Sequence, residues 1–210
     1  MTEQHYHSVR FDDDRCNGCM SCMRACPTQA IRVRRGHALM LQDRCVDCGE
    51  CIKVCTQGAV LPLTESLADL SKFEWKIAIP SPALYTQFDT EIAPRIILEA
   101  LRQCGFDEVV GLSASCRAVT AAVELYLDDY RGQYPLISSF CPTVVRLIQV
   151  KYPALLDQVL PILSPREVAA REARHRRASE SGLDPARIGV VYITPCPAKI
   201  VSINKPISME

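Results

Sequence analysis

The chain has 210 residues, 48% of them hydrophobic and 23% charged, enough apolar material for one ordinary domain and a smaller companion. Its 24 basic and 24 acidic residues cancel, so no overall field of one sign argues for a nucleic-acid partner or a membrane surface. No apolar run reaches the roughly 18 residues of a membrane span, and the polar start MTEQHYHSVRFDDD lacks the apolar stretch of a signal peptide, so the sequence reads as cytoplasmic.

Twelve cysteines are the one unusual total. Eight fall in two units offset by 29 residues at every matching position: Cys16-x2-Cys19-x2-Cys22-x3-Cys26-Pro27, then Cys45-x2-Cys48-x2-Cys51-x3-Cys55-Thr56. In a secreted domain such density suggests disulfides. Without a signal peptide, and with gaps of two and three residues, metal ligation is the better reading. Zinc ribbons use paired CxxC units rather than triplets with a trailing fourth cysteine, which leaves zinc the weaker alternative. Three thiolates at two-residue gaps wrap one corner of an iron–sulfur cubane, with backbone amides turned toward its sulfurs. Between the units, Ile31–Val33 and Ala38–Leu41 flank Arg35-Gly36 and read as a hairpin. Residues 1–62 are therefore expected to form one domain, 63–74 a linker with helical potential, and 75–210 a second domain.

From Trp75 the pattern alternates strand and helix. Lys76–Pro80 reads as a short buried strand, and Glu91–Cys104 as a helix closed by Gly105. Glu108–Leu112 reads as a strand, Arg117–Tyr130 as a helix, and Pro135–Phe140 as a third strand. Pro142–Lys151 opens a helix with proline in its first turn. Ser164–Ser179 is a charged helix, and Arg187–Thr194 a fourth strand. Alternation of this kind predicts an α/β layer around a mostly parallel sheet. The loops Pro80-Ser81-Pro82, Phe140-Cys141-Pro142 and Pro195-Cys196-Pro197 would each follow a strand, on the edge where such sheets carry their sites. Cys104 is expected to be a small core residue, Cys116 is open between core and ligand, and His5, His7, His37 and His175 are expected to be solvated.

The eight-cysteine block resembles two-cluster bacterial ferredoxins, which implies an α+β fold holding two 4Fe–4S clusters with crossed fourth ligands. Cys16, Cys19, Cys22 and Cys55 would hold one cluster, and Cys45, Cys48, Cys51 and Cys26 the other. Thr56 stands where that family usually has proline, which costs a rigid turn but no ligand.

The second half resembles FeFe-hydrogenases. Ser138–Pro153 (SSFCPTVVRLIQVKYP) and Ile193–Ile203 (ITPCPAKIVSI) look like that family's first two cluster-binding signatures. Ile77–Ala83 resembles the segment whose small residues line the di-iron pocket, and Leu101–Val109 (LRQCGFDEV) resembles its LRxxGFDxV stretch. The resemblance implies Cys141 and Cys196 as ligands of a cubane and Lys199 as hydrogen-bond donor to a cyanide on the distal iron. It also implies that Ser81 and Pro82 are cofactor-binding. Phe140 stands where active members carry a proton-shuttling cysteine. Of the family's acidic relay helix only Glu124 remains, in Thr120–Glu124. No CxxGC-type third signature appears before Glu210, so a complete H-cluster is expected only if residues outside this sequence supply the other ligands. The implied function is electron transfer with redox or hydrogen sensing, closest to the family's sensory members, with a ferredoxin, a flavoprotein or a signalling domain as redox partner. The alternatives are a fragment of a working hydrogenase and a ferredoxin-type subunit whose α/β part only docks to a larger complex.

Overall fold

The computed structural model describes residues 6–204, so His5 and Ile207 lie outside the described residues. The chain divides into two units, each discontinuous in sequence. The first comprises Met1–Thr64, Gln133–Pro161 and Cys196–Glu210, and the second Glu65–Gly132 and Ile162–Pro195.

In the first unit β1 (Val9–Phe11) runs antiparallel to β4 (Val60–Pro62), and β2 (Ile31–Arg34) pairs with β3 (His37–Met40) in a hairpin. Two helices of about one turn, α1 (Ser21–Ala25) and α2 (Glu50–Lys53), pack on each other. The internal repeat extends to the backbone. Gly18 and Asp47, Met20 and Gly49, and Gln29 and Gly58 stand 29 residues apart in pairs, and all six have positive φ. Each unit thus bends its cysteine loop the same way, although the left-handed region costs a non-glycine residue about 1–2 kcal/mol. Cys22, Ile31 and Ala38 form the core, with Phe11, Val33 and Val54 against them. The unit is completed by α6 (Pro142–Lys151) and α8 (Ala198–Asn204), which pack together.

The second unit is a three-stranded parallel sheet in the order β6-β5-β7, from β5 (Trp75–Pro80), β6 (Glu108–Val109) and β7 (Ile188–Ile193). Ile77, Ala78 and Ile79 of the central strand are wholly buried, as a parallel strand covered on both faces requires. Ala78 meets Leu70, Leu101 and Phe106 on one face. On the other, Ile77 and Ile188 meet Ala173 of α7 (Pro165–Ser181). Ser164 caps α7 with a reciprocal capping box: its Oγ accepts from the Glu167 N–H, while Glu167 Oε2 accepts from the Ser164 N–H at 2.9 Å. The Arg177 guanidinium lies 3.3 Å from the Trp75 ring centroid.

The stretch LRQCGFDEV is a joint between helix and strand. Helix α4 (Pro94–Gln103) is capped by Cys104, Gly105 turns the chain at φ +101°, and Phe106 drops into the core. Asp107 then accepts from the Lys76 backbone N–H at 2.8 Å and from Lys76 Nζ at 3.1 Å, locking β6 to β5.

Several expectations are corrected. Pro135–Phe140 is not a strand. Ile137 makes an isolated parallel bridge to Val159 and has no longer partner to extend along. Beyond Val109 the second predicted strand stops, because helix α5 (Ser113–Asp129) already begins at Ser113. The linker 63–74 forms a 3-10 helix at Leu67–Lys72. Cys104 is exposed, because α4 ends one residue before it, and Cys116 is exposed on α5.

Candidate metal centres

No disulfide joins any of the twelve cysteines. Two cavities in the first unit gather eight of them. One is lined by Cys16, Cys19, Cys22 and Cys55. The other is lined by Cys26, Cys45, Cys48 and Cys51. The fold therefore groups the thiols crosswise, each fourth cysteine reaching the other motif's cavity. Four convergent thiols around an apolar-walled space are the donor set a 4Fe–4S cluster takes, so these residues fit that group. Backbone amides already point at two of the sulfurs: Ala30 N–H donates to Cys26 Sγ at 3.2 Å, and Ala59 N–H to Cys55 Sγ at 3.3 Å.

The second cavity is the drier in its effect on the thiols. Burial pushes Cys45 and Cys51 up to about 12, helped at Cys45 by the Asp47 charge and at Cys51 by the thiols of Cys45 and Cys48. Cys22 and Cys48 are also raised, chiefly by burial. Exposed Cys19 is lowered by its hydrogen bond with Ser21. Metal binding at the buried thiols must therefore expel protons, and the metal's own charge must supply the driving force.

A buried polar network adjoins Cys45. The Asp47 carboxylate is 3.0 Å from His7 Nδ1 and accepts from the Ser8 N–H at 2.8 Å and the Ser8 hydroxyl at 3.0 Å. Burial acts to raise the Asp47 carboxyl, but the hydrogen bonds from His7 and Ser8 outweigh it and hold the group below the usual carboxylate range. His7, Asp47 and Cys45 present donor atoms within 4.8 Å of one another. His7 is therefore not solvated: it is 7% exposed, and its carboxylate partner lies 40 residues away. His37 is half-buried, and His175 is exposed as expected.

The loops carrying Cys141 and Cys196 meet in the same unit. Lys199 Nζ donates to the Phe140 carbonyl at 2.7 Å, which ties the residue before one cysteine to α8 just after the other. Cys141 is exposed and Cys196 half-buried. The second cysteine motif touches this region directly. A Cβ placed on Gly49 would stand 2.5 Å from Pro197 Cγ, so the turn between Cys48 and Glu50 lies against the residue following Cys196. In the second unit Ser81 follows β5 and Pro82 opens the short helix α3 (Pro82–Tyr85). The Ser81 N–H donates to the Ile193 carbonyl at 2.9 Å, while its hydroxyl is buried without a partner among the described residues, an orphan suited to a polar ligand. Glu124 is exposed on α5. Two thiols are half of what a cubane takes, so the described residues alone do not make a complete H-cluster site.

Comparison with known proteins defines the class first. A 4Fe–4S dicluster domain matches residues 8–56, and the C-terminal domain of the iron only hydrogenase large subunit matches residues 75–208. The chain belongs to the iron only hydrogenase large-subunit family, and it carries two 4Fe–4S clusters in its dicluster domain. It is 32% identical to iron hydrogenase 1 of Clostridium pasteurianum over 113 residues, covering 52% of this chain and 20% of that protein. It is 25% identical to the NADP-reducing hydrogenase subunit HndD of Solidesulfovibrio fructosivorans over 212 residues, covering 94% of this chain and 32% of that protein. The chain thus spans a third or less of the length of these relatives. A solved FeFe-hydrogenase structure, concerned with oxygen inactivation at the H cluster, superposes with a TM-score of 0.51 at 21% identity. It covers 66% of this chain and 40% of that one, a likeness of fold. No helix among the described residues is long and apolar enough to cross a membrane.

Proposed function

We propose that the chain is an electron-transfer and redox-sensing module. Electrons pass between a partner protein and a modified H-cluster site that Cys141 and Cys196 help to form, with the two four-cysteine cavities as the relay. The observation that carries this reading is the seating of the Gly49 turn against Pro197. With the Cys196 loop beside it, the Cys26/Cys45/Cys48/Cys51 cavity is read as the inner station. The Cys16/Cys19/Cys22/Cys55 cavity is then the outer one.

The H-cluster, where bound, would supply the site at which protons and electrons meet as hydrogen. What this chain's own residues do there is orient and exclude. Cys141 and Cys196 are the candidate thiolate ligands. Lys199, tied to the Phe140 carbonyl, fixes the spacing of their loops, and the buried Ser81 hydroxyl is a candidate polar contact. Phe140 carries no exchangeable proton at the position where the family resemblance implies a relay. A proton path needs a donor within hydrogen-bond reach at every step, so turnover through this route is slow, which suits a sensor better than a producer of hydrogen.

The full-length gene product, matured with its cluster-assembly machinery, tests the reading. Iron and acid-labile sulfide of about eight each are expected for the dicluster domain, with infrared bands of iron-bound CO and cyanide at the modified site. Hydrogen evolution should rise at least tenfold in Phe140→Cys. Equal rates for the two proteins would refute the sensing role in favour of a working hydrogenase, and absence of the infrared bands would leave the α/β part as a docking element.

A further inference from the structure

The two four-cysteine cavities share a ligand pattern but not a charge environment. Among the described residues Asp47 is the only buried carboxylate, 3% exposed, and one of its oxygens lies within 4.8 Å of Cys45 Sγ. His7 Nδ1, the Ser8 N–H and the Ser8 hydroxyl all face it, a set of donors that suits an ionised carboxylate, which only accepts. They hold its charge beside the inner cavity without moving it into water. The other charged groups of this motif stand in solvent-facing pairs: Asp43 with Arg44 at 4.0 Å, and Glu50 with Lys53 at 3.7 Å. Solvent and partner screen those charges, whereas a buried one is screened much less.

The outer cavity has carboxylates near it too, but they are of the screened kind. Asp12, Asp13 and Asp14 directly precede Arg15 and Cys16. Asp13 and Asp14 are exposed. Asp12 pairs with Arg15 at 3.5 Å and accepts from the backbone N–H groups of Asp14 and Arg15. A cation stands on the same motif, where Arg24 Nη2 donates to the Cys19 carbonyl at 3.4 Å. At the position that matches Asp47 in the 29-residue repeat, the first motif has Gly18, so the buried charge belongs to the second motif alone.

From this asymmetry we infer that the Asp47 carboxylate holds the inner cluster at a lower reduction potential than the outer one, so that a single electron comes to rest on the outer station. The inference takes the names inner and outer from the electron-transfer reading above. A fixed negative charge beside a cluster opposes the addition of an electron, and net charge and solvent exposure are among the terms that set a cluster's potential. The burial that pushes the Cys45 and Cys51 thiols up to about 12 acts in the same direction, because a site that resists a thiolate also resists an added electron. In the inward step one electron leaves the outer cluster, which is oxidised, and enters the inner cluster, which is reduced; no bond forms or breaks. That step runs uphill. Only a donor strong enough to fill the outer station first can then fill the inner one, and Asp47 sets that threshold.

The test is a potentiometric titration of the iron-loaded full chain at one fixed pH, followed by electron paramagnetic resonance. Two potentials are expected. In Asp47→Asn the lower should rise by at least about 59 mV, a tenfold change in a one-electron equilibrium, while the higher stays in place. Asp13→Asn removes an exposed charge three residues before Cys16 and should move neither. Ser8→Ala loosens the same network but keeps the carboxylate, so it should not raise the lower potential. Iron content should match the parent in all three variants. Unchanged potentials in Asp47→Asn, a shift of the higher potential instead, or an equal rise in Ser8→Ala overturns the role of the charge and leaves the electron-transfer reading standing. A chain that binds no iron–sulfur cluster overturns both.

Discussion

Replacing Asp47 tests how the inner cavity is held. In Asp47→Ala the Ser8 N–H, the Ser8 hydroxyl and His7 Nδ1 lose their common acceptor. Ser8 is 0% exposed and His7 is 7% exposed, so water cannot take its place cheaply. A buried donor left unpaired costs about 1–3 kcal/mol, and Ser8 alone loses two such bonds. Residue 47 also sits at φ +54°, where aspartate and asparagine are tolerated and alanine adds about 1 kcal/mol. The sum is about 3–7 kcal/mol for alanine. Asparagine keeps an acceptor oxygen for Ser8 and the backbone preference, and loses chiefly the charge, about 1–2 kcal/mol. Equilibrium unfolding is ill-defined for a chain with bound clusters, so the assay is the anaerobic rate of loss of the visible iron–sulfur absorbance at fixed temperature. If opening of the Cys45–Cys48 loop limits that loss, Asp47→Ala should lose its clusters at least about a hundredfold faster than the parent, and Asp47→Asn about tenfold or less. Equal rates for the two variants, or a parent-like rate for alanine, would show that the network does not hold the cavity.

Three further outcomes follow from the geometry. Cys55→Ala should lose the same cluster signal as Cys19→Ala, and Cys26→Ala the same as Cys48→Ala, with iron falling from about eight to about four in each; pairing within each motif instead would contradict the crossed cavities. Gly49→Ala meets both a φ of +79° and the Pro197 ring, so it should displace the Cys196 loop and raise the rate at which Cys196 is alkylated, read by mass spectrometry. Lys199→Met removes the bond to the Phe140 carbonyl, a charge-assisted contact of about 1.5–3 kcal/mol. Amide hydrogen exchange across residues 139–142 should accelerate by about tenfold or more if that bond holds the loop closed.

What could be read along the chain is what repeats or is local. The 29-residue offset of the cysteines also locates the paired left-handed residues. Helix α6 begins and ends where Pro142 and Lys151 place it, and Ser164-Pro165 with Glu167 marks the start of α7. The misreadings are non-local. Strand β1 is only Val9–Phe11, and its partner comes from Val60–Pro62, so neither has a local pattern to reveal it. Pro135–Phe140 has a strand's composition, but a strand exists only where a neighbour accepts its hydrogen bonds, and only Val159 is there. His7 reads as solvated because its own neighbours in sequence are polar; its burial is decided by Asp47, in the other half of the repeat.

This also explains why the two cysteine motifs, nearly identical in spacing, have come to differ chemically. The second motif carries Asp47 where the first has Gly18, and Gly49 where the first has Met20. Aspartate at 47 makes that loop an anchor for β1. Glycine at 49 leaves room for Pro197 to close on the loop. In the first motif the same two positions do the reverse. Glycine at 18 admits the arginine-bearing hairpin turn, and Met20 is left exposed beside Cys19. One motif is thus packed against the interior of its unit, while the other leaves Cys19 and Met20 exposed.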